Sequence, residues 1–117
     1  MSQVKFYQFE DNTVVAVLGA GTVPGAKELI AGSVDAAQEK HVPVATRNGN
    51  TVTVNVGSVT HPMEDKHFIE WVAVATEDAV QIHYLKPGSA PETSFTVDGK
   101  ATVYAHCNLH GLWQTEI

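Results

Sequence analysis

The run Thr51-Val52-Thr53-Val54-Asn55-Val56 constrains the fold of this chain more than any other stretch. Three valines alternate with three polar residues, the pattern of a strand with one buried face and one wet face. β-Branched side chains suit that pleated surface better than a helix. Asn48-Gly49-Asn50 lies directly before it and is a strong turn signal, so the sequence predicts a hairpin of residues 42–47 against 51–57. Residues 68–75 and 80–85 flank the polar turn Thr76-Glu77-Asp78 and predict a second hairpin. Residues 94–97 and 101–105 flank Asp98-Gly99-Lys100 and predict a third. Lys86-Pro87-Gly88-Ser89-Ala90-Pro91 is a loop, and 34–38 predicts a short helical turn. Closely spaced hairpins punctuated by Gly, Pro and Asn point to an all-β fold. The expected form is an immunoglobulin-like antiparallel β-sandwich with a small N-terminal β appendage.

The 117 residues suffice for one compact domain plus that appendage, and the 44% apolar fraction suffices for a core. Net charge is −6 with scattered cations, which argues against a nucleic-acid surface. The first residues lack a basic segment followed by an apolar one, so no signal peptide is predicted. The longest apolar stretch, 14–26, is interrupted by Gly19, Gly21, Thr22 and Pro24 and is too short to span a bilayer. One cysteine excludes an intrachain disulfide and fits a cytoplasmic location. Val14-Val15-Ala16-Val17-Leu18-Gly19-Ala20-Gly21 imitates the start of a dinucleotide-binding turn. Gly25 comes one residue late, Pro24 sits in the turn, and no parallel βαβ array follows, so the reading is a glycine-rich β turn.

Five residues stand out chemically: His41, His61, His67, Cys107 and His110. They occur in Glu39-Lys40-His41-Val42-Pro43, His61-Pro62-Met63-Glu64-Asp65-Lys66-His67 and Cys107-Asn108-Leu109-His110-Gly111. His41, His61 and His110 fall at loop–strand junctions, and the proline after His61 holds its backbone extended. Cys-x-x-His is a common metal spacing. Four imidazoles and one thiolate overfill a zinc tetrahedron. Blue copper is a rival, but it wants His₂Cys with a weak axial ligand, and neither Met1 nor Met63 follows the 107–110 loop. Iron with four imidazoles in a plane and an axial thiolate uses all five donors and leaves one position open. His83 lies inside a strand at no special spacing and is read as structural. His106 is read as a strand residue pointing away from the sulfur of Cys107.

These three motifs resemble the catalytic domain of superoxide reductases, the desulfoferrodoxin and neelaredoxin family. The resemblance runs from about Ser33 to Trp113 and is loose before Gly32. It implies a mononuclear iron with His41, His61, His67 and His110 as equatorial ligands and Cys107 as the axial thiolate. It implies catalytic roles for Glu39 and Lys40, superoxide as substrate, hydrogen peroxide as product, and a rubredoxin-like electron donor. It also suggests that backbone N–H groups of Leu109 and His110 bond the sulfur. A non-catalytic iron or copper electron-transfer protein, or a sensing β-sandwich, is the alternative for the same donors.

The expected division is 1–32, a desulforedoxin-like remnant, and 33–117, the catalytic sandwich. In larger members of the family the first region binds a second iron through four cysteines. It holds none here, so no second iron centre is expected. Phe6, Phe9, Val15, Val17, Leu29 and Ile30 are too few for an independent core. The segment is therefore expected to pack on the catalytic domain or on a second chain, as a homodimer.

Overall fold

In a computed structural model, which describes residues 4–117, Val52, Val54 and Val56 are completely buried while Thr51 and Asn55 stay exposed. The alternation read in the sequence thus marks the inner face of a strand. The described elements are β1 (Val4–Gln8), β2 (Val14–Leu18), β3 (Lys27–Glu28), α1 (Gln38–His41), β4 (Pro43–Asn48) and β5 (Thr51–Val56). They continue with β6 (Ile69–Ala75), β7 (Val80–Tyr84), β8 (Glu92–Thr96), β9 (Thr102–Cys107) and β10 (Gly111–Glu116). Strands β4-β5-β8 form one antiparallel sheet and β10-β9-β6-β7 the other. Their inner faces close on one core of Val52, Val54, Val56, Phe95, Ile69, Val72, Val74, Val103, Ala105 and Cys107. This is the immunoglobulin-like sandwich arrangement, with the two inner faces interdigitating.

The first two hairpins form as the turn residues indicate: Asn48 pairs with Thr51, and Ala75 with Val80. The third does not. β8 pairs with β5, whereas β9 pairs with β6 and β10, so Asp98-Gly99-Lys100 carries the chain from one sheet to the other. The flanking backbone groups find other partners: Val97 N donates to Asn50 O at 2.7 Å, and Ala101 N to Ile117 O at 2.9 Å. Both side chains are buried, so the crossover places Val97 and Ala101 in the sandwich core. β10, absent from the sequence reading, completes the second sheet at an edge. The helical turn comes later than expected, at Gln38–His41 instead of 34–38.

A register shift in β6 lies between Ile69 and Trp71. It lets Ile69 face the sandwich core and Trp71 the opposite side of the sheet, with Glu70 as the extra residue. That opposite side is covered by a third sheet, β2-β1-β3. Val4 and Phe6 pack there against Trp71, Ala73, Ala75, Tyr104 and Leu112, joined by Val14, Leu29 and Ala31. The Phe6 ring lies 4.8 Å from Trp71 and 5.1 Å from Tyr104. Of the six apolar residues counted as too few for an independent core, Phe6 and Leu29 reach the shared core, and half-buried Phe9 is not part of it. Val15 pairs with Tyr7 and Val17 with Lys5, so both point to the other face, and Ile30 remains exposed. The glycine stretch follows β2 and returns the chain to β3 on the far side of β1, an antiparallel arrangement with no phosphate-cradling helix.

Candidate metal centre

Three loops at one end of the sandwich bring the candidate residues together. α1 carries Glu39, Lys40 and His41; the 57–67 connection carries His61 and His67; the tight β9–β10 turn carries Cys107 and His110. α1 is seated on the second loop through its backbone: Val59 N donates to Glu39 O at 2.9 Å. Gly57 makes this approach possible. Its φ is +88°, and a Cβ there would meet the Lys40 carbonyl oxygen at 2.7 Å.

The four imidazoles form a square. Ring centroids lie 4.7 Å apart for His41–His61, 4.7 Å for His61–His67, 5.1 Å for His67–His110 and 4.9 Å for His110–His41. The His41–His67 diagonal is 6.4 Å. Neighbouring rings stand nearly edge to face, at 73° to 87°. His41, His61, His67 and Cys107 each offer a donor atom within 4.8 Å of the others. The His110 ring joins through Nδ1, which lies 3.1 Å from His41 Nε2 and 3.8 Å from Cys107 Sγ. Cys107 is fully buried, whereas His67 and His110 are half-buried, so the cluster has a closed side and an open side.

The donor atoms fit a cation. His41 Nδ1 donates to Ala37 O at 2.7 Å and His61 Nδ1 to Pro62 O at 2.6 Å. Both neutral rings therefore present lone pairs at Nε2. Those two nitrogens face each other at 3.2 Å with no proton between them. His67 Nε2 is buried and has no hydrogen-bond partner. Converging lone pairs and an orphaned buried nitrogen are costly unless a positive ion fills the space. Burial is the main cause that disfavours the charged rings: it lowers His41 and His67, and it pushes His61 down to about 4. Burial also raises the Cys107 thiol, while the backbone N–H groups of Leu109 and His110 pull it back down by bonding the sulfur. A metal is what would make that buried sulfur a thiolate.

Glu39 and Lys40 are exposed on α1. Their charges reach the cluster: Lys40 adds to burial in lowering His67, and Glu39 opposes it at His41. His83 lies elsewhere, bonded through Nδ1 to Thr93 Oγ1 at 2.6 Å and stacked on Phe95 at 4.0 Å, in keeping with a structural reading. His106 also points away from the sulfur. Its Nδ1 donates to Glu70 Oε1 at 2.8 Å and its ring stacks on Trp71 at 5.2 Å and 6°. Sequence reasoning passed over Trp113, which stacks on His41 at 5.0 Å and donates its Nε1–H to His110 O at 3.0 Å. Its place three residues after His110 was the available signal.

The family model for desulfoferrodoxin matches residues 33–116. The chain belongs to the desulfoferrodoxin family. A desulfoferrodoxin from Clostridium acetobutylicum is 48% identical over 100 residues, covering 86% of this chain and 79% of that protein. A desulfoferrodoxin homolog from Archaeoglobus fulgidus is 51% identical over 82 residues, covering 69% and 66%. Among solved structures, the superoxide reductase from Treponema pallidum matches with a TM-score of 0.75 at 36% identity, covering 94% of this chain and 98% of that one. A superoxide reductase from Giardia intestinalis matches with a TM-score of 0.60 at 30% identity, covering 68% and 97%. The desulfoferrodoxin match begins at residue 33, whereas the match to the Treponema protein extends beyond that range to 94% of the chain. No described helix is long and apolar enough to cross a membrane.

Proposed function

We propose that this desulfoferrodoxin-family chain is a superoxide reductase. Superoxide, one electron and two protons give hydrogen peroxide, and no dioxygen is released. The observation that carries the reading is the square of four imidazoles beside one buried sulfur, closed on the sulfur side and half-exposed on the other. The superoxide reductase family uses a mononuclear iron site. In this reading His41, His61, His67, His110 and Cys107 hold that iron, which when bound would supply the single electron that superoxide accepts.

The chain's own residues do the rest. The N–H groups of Leu109 and His110 stabilise negative charge on the Cys107 sulfur. The carbonyls of Ala37 and Pro62 fix the tautomers of His41 and His61 so that Nε2 faces inward. Lys40, exposed on α1, places a positive charge beside the half-open face and draws in an anion against the net charge of −6. Glu39 is proposed to offer an internal carboxylate to the same face at rest. Each turnover consumes one electron, so a small redox protein such as rubredoxin is the proposed donor. We further propose a cytoplasmic homodimer, with residues 33–117 as the catalytic domain and 1–32 as its appendage.

Rapid mixing of the reduced, iron-loaded protein with superoxide tests the reading. One peroxide per superoxide with no dioxygen is expected. Dioxygen released alongside peroxide would mean dismutation, and decay no faster than in buffer would leave an electron carrier or a sensor. Cys107→Ser should abolish the blue thiolate-to-iron absorption of the ferric protein; a retained band would remove Cys107 from the ligand set.

A further inference from the structure

We propose that Asn108 is a positioning residue, whose carboxamide locks the backbone on both sides of His67 to the turn that carries Cys107. Asn108 Oδ1 accepts from Phe68 N at 2.9 Å, and Nδ2 donates to Lys66 O at 3.0 Å. Asn108 N also donates to Phe68 O, at 3.2 Å. An N–H on one side and a carbonyl on the other leave only one orientation of the amide that satisfies both. His67 lies between the two anchored residues.

The dependence of His67 on this clamp follows from what its ring lacks. His41 and His61 are each oriented by an Nδ1 hydrogen bond to a backbone carbonyl. Among the described residues no hydrogen bond holds the His67 ring, and its buried Nε2 has no partner. Its backbone N–H and C=O are tied to Glu64, at 3.0 and 2.9 Å, within its own loop. That pairing shapes the loop without fixing it to the sandwich. Two bonds from the Asn108 carboxamide and one from its backbone N–H join the loop to the neighbour of the sulfur, next to the Ile69–Cys107 pairing of β6 and β9. The carboxamide is therefore the side chain that holds the residues flanking His67 against the Cys107 turn. A ligand held by its backbone instead of its ring is displaced when that backbone is released.

The inference rests on the proposed metal site, and its test separates the two. Ferrous iron affinity is measured by competition with a colorimetric chelator for the wild type, Asn108→Ala, His67→Ala and the double variant. Asn108→Ala should weaken Fe²⁺ binding by about tenfold to a hundredfold. In the His67→Ala background the same change should cost less than about twofold, since a residue acting through His67 loses its effect once that ring is gone. Equal losses in both backgrounds, or none in the wild-type background, would overturn the positioning role. A wild type that yields Fe²⁺ freely would overturn the metal reading itself, and the inference with it. If Asn108→Ala does not fold, the isosteric Asn108→Asp carries the same comparison. It keeps the acceptor for Phe68 N–H but sets an oxygen against Lys66 O, so it too should weaken binding only while His67 is present.

Discussion

Lys40 and Glu39 are neighbours on one exposed helical turn, yet their charges act on different imidazoles, His67 and His41. Their variants should therefore part. Lys40→Ala is expected to slow the encounter with superoxide by roughly tenfold at low salt, because a local positive charge steers the anion. Glu39→Ala should leave that rate nearly unchanged and alter the ferric spectrum. Stopped-flow traces over a range of ionic strength check both; equal rates for Lys40→Ala and wild type would remove the steering role. His61 gives a pH dependence. Unfolded, it titrates near 6.5; folded, burial holds it at about 4. The unfolded chain thus binds the extra proton between those values. Stability of the metal-free protein should be fully present above about pH 6.5, fall as pH drops towards 4, and level off below. The loss is on the order of 3 kcal/mol from His61 alone. Urea midpoints at pH 7 and 4.5 measure it, and equal midpoints would show that burial does not depress the ring.

At the scale of elements, the centre depends on how α1 sits on the 57–67 connection. Gly57 permits that contact through its positive φ and missing Cβ. Gly57→Ala should cost about 1–3 kcal/mol from backbone strain, and more from the collisions with the Val59 and Lys40 carbonyls. Because α1 carries His41, the variant should also bind Fe²⁺ more weakly, which denaturation and chelator competition would record. Wild-type stability in Gly57→Ala would show that the loop backbone and α1 can shift away from a Cβ without cost. The bulge at Glu70 acts at the same scale. It turns Ile69 towards the sandwich core and Trp71 towards the third sheet, so one irregularity serves both faces of the four-stranded sheet.

For the whole molecule, the N-terminal sheet is a cover over the outer face of the four-stranded sheet. Phe6 is its main anchor, 2% exposed between Trp71 and Tyr104. Phe6→Ala should destabilise the protein by about 3–5 kcal/mol while leaving Fe²⁺ affinity close to wild type, because the anchor lies on the face away from the metal cluster. A chain starting at Ser33 would expose Trp71, Tyr104 and Leu112 and should aggregate. Leu18 and Ile30 are 75% and 57% exposed on the cover, and offer the apolar surface that the proposed dimer would use. Light scattering decides it: a monomer at micromolar concentration would sink the dimer.

The sequence by itself determined what short-range physics controls. Alternating valines and turn residues set β5 and the first two hairpins, because side-chain period and turn geometry are properties of adjacent residues. The donor types at His41, His61, His67, Cys107 and His110 were legible for a similar reason, since their chemistry belongs to the side chains themselves. The tertiary structure alone decided the partners. Asp98-Gly99-Lys100 has turn chemistry, yet the chain crosses between sheets there, with Val97 and Ala101 buried in the core on either side. It alone set His106 on Glu70 and Trp71, clamped His67 through Asn108, stacked Trp113 on His41 and folded residues 4–32 back over β6, β9 and β10. Each of these contacts joins residues distant in sequence, and no local pattern encodes the meeting of two surfaces that exist only once the sandwich has closed.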